Sequence, residues 1–116
     1  MRKKIRTFRN GIEFMDNRHW ILDELGNPEP VTLEVWARWF ENFRDRIVKQ
    51  EMVGDVKVST VFLGLDHNFG QQGPPVLWET MVFGGKMDQH QERCAGNREQ
   101  AEAMHESVLE KVKNDS

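Results

Sequence analysis

The chain has 116 residues, enough for one domain with its own core, and 38% of them are hydrophobic, including seven Phe and four Trp, which excludes wholesale disorder. A single cysteine, Cys94, excludes an intramolecular disulfide framework and any zinc site built from several cysteines of one chain, and so points to a reducing compartment. The net charge of -3 conceals an asymmetry: Arg2, Lys3, Lys4, Arg6 and Arg9 put five positive charges in the first nine residues, so the remaining 107 carry -8. A short basic arm of this kind can attract phosphate or an acidic surface, but an acidic body repels a nucleic-acid backbone, and general nucleic-acid binding is not expected. No apolar run approaches the roughly 20 residues of a membrane-spanning helix, and the basic N-terminus lacks the apolar stretch of a signal peptide. A soluble cytoplasmic protein with no membrane partner is the expectation.

In chain order, Lys4 to Arg9 alternates basic with apolar or small residues, Asn10-Gly11 is a dipeptide that favours a two-residue turn, and Ile12 to Met15 follows as a return strand. His19 to Asp23 is short and apolar enough for another strand. Gly26-Asn27-Pro28-Glu29-Pro30 is expected to end it, since proline removes a donor and restricts the residue before it. Thr32 is a helix N-cap, and Leu33, Trp36, Ala37, Phe40, Phe43 and Ile47 recur at three- and four-residue spacing, which predicts one amphipathic helix ending near Arg46 and Lys49. Trp39 lies off the centre of that stripe, where it either widens the packed face or forms an exposed contact.

Met52-Val53-Gly54-Asp55 reads as a turn into a central strand from Val56 to Leu65, apolar on both faces. Its expected partner is Val76 to Phe83, ended by Gly84-Gly85, with a polar edge strand over residues 89–95. Asn97 and Gln100 have capping-box spacing, and Ala101, Met104, His105, Val108, Leu109 and Val112 form the apolar stripe of a second helix. The predicted architecture is a single α+β domain over residues 1–116, an antiparallel sheet with two amphipathic helices packed against it.

The connection from Asp66 to Pro75 is the best candidate site, because apolar strands hold such a loop rigidly and function tends to sit on loops held that way. Asp66 beside His67 can orient a base or hold a metal in principle, although neighbours on an extended chain point apart; Asp66 and Asn68 can equally bond the loop backbone. Glu79, among apolar neighbours, either pairs with an arginine such as Arg6, Arg9 or Arg93 as a structural group, takes a ligand or proton-transfer role, or faces solvent on an incompletely covered sheet. His19, His67, His90 and His105 include no pair at a recognised metal spacing. His105, on the apolar face of the last helix, reads as a core or boundary residue. Asp88 and His90 can meet Asp66 and His67 only if the loops share one edge of the sheet. The glycines form neither a Walker loop nor a dinucleotide fingerprint, and no cofactor is expected. Trp20, Trp36, Trp39 and Trp78, with Phe69 and the basic arm, allow an aromatic, cationic pocket for a nucleotide.

The run VSTVFLGLDHNFGQQGPPVLWETMVFGG, Val58 to Gly85, resembles a segment of small uncharacterised proteins encoded by bacteriophages and prophages. That resemblance implies a phage accessory protein in the host cytoplasm that acts by non-catalytic binding, either inhibiting a host defence protein or sequestering a nucleotide signal. A homo-oligomer could complete such a pocket. The binding residues expected are Asp66, His67, Asn68, Phe69, Glu79, Arg6, Arg9 and Trp39, and the catalytic residues are open. The alternative is a small hydrolase, with or without a metal, using Asp66, His67 and Glu79.

Overall fold

A computed structural model describes residues 18–68 and 72–115, with Phe43 as backbone only, and the pairing of 8–9 with 12–13. The architecture is α+β, as expected. Strands β1 (Phe8–Arg9) and β2 (Ile12–Glu13) pair antiparallel, as do β3 (Trp20–Leu22) and β4 (Pro28–Pro30). Helix α1 (Leu33–Phe40) and a 3-10 turn (Phe43–Arg46) lead into the main sheet. That sheet is an antiparallel meander of β5 (Ile47–Val53), β6 (Val56–Phe62), β7 (Val76–Phe83) and β8 (Gln91–Ala95). Helix α2 (Arg98–Asn114) lies across one face of it.

The core follows from strand register. Val58 pairs with Val82, Thr60 with Thr80, and Phe62 with Trp78, so six side chains share the face beneath α2, and all six are fully buried. Trp20, Phe62, Leu77, Trp78 and Ala101 form one apolar cluster, and Val58, Val82, Val108, Leu109 and Val112 form a second. Each such large side chain contributes about 1.5–3 kcal/mol by leaving water. Helix α2 begins with the predicted capping box: the Asn97 side chain accepts from Gln100 N at 3.0 Å, and the Gln100 side chain accepts from Asn97 N at 2.9 Å.

Helix α1 docks through Gly64. Its carbonyl accepts from Trp36 Nε1 at 2.9 Å and from Trp20 N at 2.8 Å. A Cβ at Gly64 would lie 2.7 Å from the Phe40 ring, and its φ of +79° is one that glycine adopts without strain. Trp36 stacks on Phe40, and the Arg46 guanidinium lies 4.0 Å from the Phe40 ring centroid while its Nε donates to the Phe62 carbonyl.

One expectation fails here. The first helix does not run to Ile47: it stops at Phe40, and residues from Ile47 onward form β5, so Arg46 and Lys49 do not end α1. Phe43 and Ile47 continue the helical spacing by coincidence, and the ladder with β6 prevails over it. Strand β3 ends at Leu22, ahead of Gly26 to Pro30, as expected, and Pro28-Glu29-Pro30 itself pairs with β3. It is an edge strand, because Asp23 N bonds to Asn27 O and Val31 N to His19 O, which leaves Pro28 and Pro30 at alternate positions whose nitrogens face away from β3.

Candidate functional site

The 66–75 connection is braced at its base by side chains serving the backbone. Asp66 Oδ1 accepts from Asn68 N at 2.8 Å and from Val76 N at 2.9 Å, closing the loop across ten residues. Asn68 Nδ2 donates to the Pro74 carbonyl at 2.9 Å. His67 N donates to Val76 O, and His67 Nδ1, 2.9 Å from the Leu65 carbonyl, must carry the proton there because a carbonyl only accepts. Phe69 lies outside the described residues.

Beside this loop opens a cleft of about 680 Å³. Pro74, Pro75 and Leu77 form one side, with Trp20 and Pro30 of the β3–β4 hairpin also lining it. Among the described residues its charged lining groups are Asp23 and Glu29, both acidic. Gly96 contributes backbone: its carbonyl accepts from Trp78 Nε1 at 2.8 Å, and a Cβ there would collide with Gln100. Asp23 Oδ1 is committed to the hairpin turn, where it accepts from Leu25 N and Asn27 N, each at 2.9 Å.

The other sequence candidates lie elsewhere. Glu79 pairs with Arg93 Nε at 2.8 Å, which selects one of the three arginines considered for it. Glu79 is three residues along β7 from Val76, about 10 Å of strand, so it does not join Asp66 and His67. Trp39 is half-buried with its ring edge-on to Phe62 at 5.8 Å, and it also lines a 450 Å³ recess behind the same hairpin with Leu25 and Arg98. The Arg9 backbone sits in β1; its side chain and all of Arg6 lie outside the described residues. Asp88 and His90 follow the far end of β7, about 25 Å of strand from Val76, and are occupied locally: Asp88 accepts from Gly84 N at 2.6 Å, and His90 Nε2 meets Glu92 at 2.9 Å.

Beneath α2 the structure assembles a polar chain. His105, fully buried, has Nδ1 2.7 Å from Thr60 Oγ1 and Nε2 2.8 Å from Glu51 Oε1, and Thr60 Oγ1 is 2.5 Å from Thr80 Oγ1. Lys49 Nζ bonds Glu106 at 2.9 Å, and the two carboxylates near it, Glu106 first, hold its pKa above the ordinary lysine value. Along the same face Glu92 is held below the usual carboxylate range, chiefly by its 2.6 Å bond from Lys111 and next by His90. Burial pushes the Cys94 thiol up, away from nucleophilic chemistry. The buried place of His105 accords with its position on the stripe, but its partners lie 45 and 54 residues away. A threonine at the centre of an apolar strand is the one local signal of them.

Chemically, the described base of the loop is a brace: the Asp66 carboxylate satisfies two backbone donors. The cleft offers apolar surface edged with negative charge. No family model, curated protein or solved structure matches this chain.

Proposed function

We propose that this protein acts by non-catalytic binding, receiving a segment of a partner protein in the cleft between the β3–β4 hairpin and the 66–75 loop. The observation that carries the reading is the pairing of a braced loop with a 680 Å³ recess lined by Trp20, Pro30, Pro74, Pro75 and Leu77. Rigid proline and aromatic walls lose little entropy on binding, which favours recognition of a peptide surface. Asp23 and Glu29 make the cleft attractive to a basic segment and unfavourable to phosphates, so a protein partner fits better than a nucleotide signal. The resemblance of Val58 to Gly85 to phage-encoded proteins supports a bacterial host protein as that partner, its inhibition as the outcome, and the host cytoplasm as the setting.

Native mass spectra of the affinity-purified chain from a bacterial host test this. A stoichiometric protein-sized adduct is expected. A nucleotide-sized adduct would replace the reading with sequestration, and a homo-oligomer that buries the cleft would replace it with self-association.

A further inference from the structure

We propose a second site, independent of the cleft, that takes a divalent transition metal of the zinc class: Glu51 of β5 with His105 and Glu106 of α2. One ligand atom from each lies within 4.8 Å of the other two. The buried imidazole is fixed from behind by Thr60, and its Nε2 is directed at Glu51, whose side chain is 36% exposed, with Glu106 at 55%. A nitrogen donor held rigidly in the core therefore faces two ionisable oxygen donors at the solvent boundary. Water can fill the remaining positions, as in open zinc sites. An imidazole with two carboxylates selects zinc-like ions over calcium or magnesium, which prefer all-oxygen shells.

The hydroxyl pair makes the histidine serviceable in both states. Without metal, Nε2–H donates to Glu51 and the Thr60 hydroxyl donates to Nδ1. With metal on Nε2, the proton sits on Nδ1 and is donated to Thr60 Oγ1, whose hydroxyl turns to donate to Thr80 at 2.5 Å. Metal-bound histidines are held by an outer hydrogen bond of this kind. Zinc bonds near 2.0–2.1 Å set tetrahedral ligand atoms about 3.4 Å apart, so the Glu51 oxygen, now 2.8 Å from Nε2, must swing outward by about 0.6 Å, and separations of up to 4.8 Å must close by at most about 1.4 Å, shifts within reach of exposed carboxylates.

A cation already marks the seat. Lys49 Nζ lies 2.9 Å from Glu106 and 3.6 Å from Glu51, on a half-exposed, flexible stem. A metal ion would neutralise both carboxylates and release that ammonium to water, so Lys49 is a competitor and its removal must tighten binding.

The test is titration of metal-free protein with Zn²⁺ against a chromophoric chelator, with Co²⁺ absorption reporting coordination. One ion per chain is expected. Lys49→Ala should strengthen binding by about 3-fold, the scale of an exposed ion pair. Glu106→Gln, at an exposed position that leaves the circular dichroism unchanged, should weaken it by at least about 10-fold. Absence of stoichiometric Zn²⁺ binding, binding that Glu106→Gln leaves intact, or binding that Lys49→Ala weakens would each overturn the site.

Discussion

The Asp66–Asn68 loop base and the Thr60–His105–Glu51 chain use similar side chains in opposite ways. In the loop, Asp66 and Asn68 bond backbone groups at most ten residues away, so sequence neighbours build a local brace. Under α2, side chains separated by 45 and 54 residues bond one another, and each depends on the register of two strands and the seating of a helix. Adjacency of Asp and His in sequence therefore produced a scaffold, while the interacting acid and imidazole came from distant segments. Charge and burial differ accordingly: the loop base is half-buried, and His105, Thr60 and Thr80 are fully buried.

The sharpest way to break this contrast is in the buried chain. Thr60→Val leaves His105 Nδ1 and Thr80 Oγ1 without their partner in the core, a loss of about 2–3 kcal/mol in urea unfolding. Replacing Thr60 and Thr80 by Val and His105 by Leu together should recover most of that loss, because an all-apolar layer leaves no buried donor unmet. If the triple variant is as unstable as the single one, the chain is not the unit described.

Asp66→Ala should cost less, about 1–2 kcal/mol, and should act locally. Amide exchange at Asn68 and Val76 is expected to accelerate while the β6–β7 ladder at Thr60 and Thr80 keeps its protection. Equal acceleration across the sheet would show that the brace belongs to the core.

The smallest effect is electrostatic. The folded-state pKa of Glu92 is depressed below its usual 4.5 by Lys111 and then His90, so its stabilisation is fully present above that usual value and is lost as pH falls through the depressed one. Lys111→Ala should remove under about 1 kcal/mol near neutral pH, where His90 still bonds Glu92, and should flatten the acid limb of stability against pH. An unchanged acid limb would show that the bond contributes nothing.

Much of the fold was legible because its signals are local. Val76–Phe83 is bounded by Pro75 and Gly84, Asn97 and Gln100 announce α2, and the α2 stripe predicts its buried residues. β5 was not legible, because Phe43 and Ile47 mimic a helical stripe and only the ladder to β6 reveals the alternation of Lys49, Glu51 and Val53 toward α2. With β5 misread as helix and turn, Glu51 could not be placed beside His105. The bracing roles of Asp66 and Asn68 were among the readings their residue types allow, and Arg93 was among the partners considered for Glu79. The cleft itself needed Pro28 and Pro30 as an edge strand, a use of proline that depends on which side of the strand faces its partner.

The central claim is that the cleft binds and the Asp66–His67 pair does not react. Native mass spectra of His67→Ala and Glu29→Lys, each recovered folded from the same bacterial host as the parent chain, test it most directly. The account predicts that His67→Ala keeps the protein-sized adduct and that Glu29→Lys, which reverses a cleft charge, loses it. An adduct retained by Glu29→Lys and lost by His67→Ala would contradict the account and move the functional site to the loop.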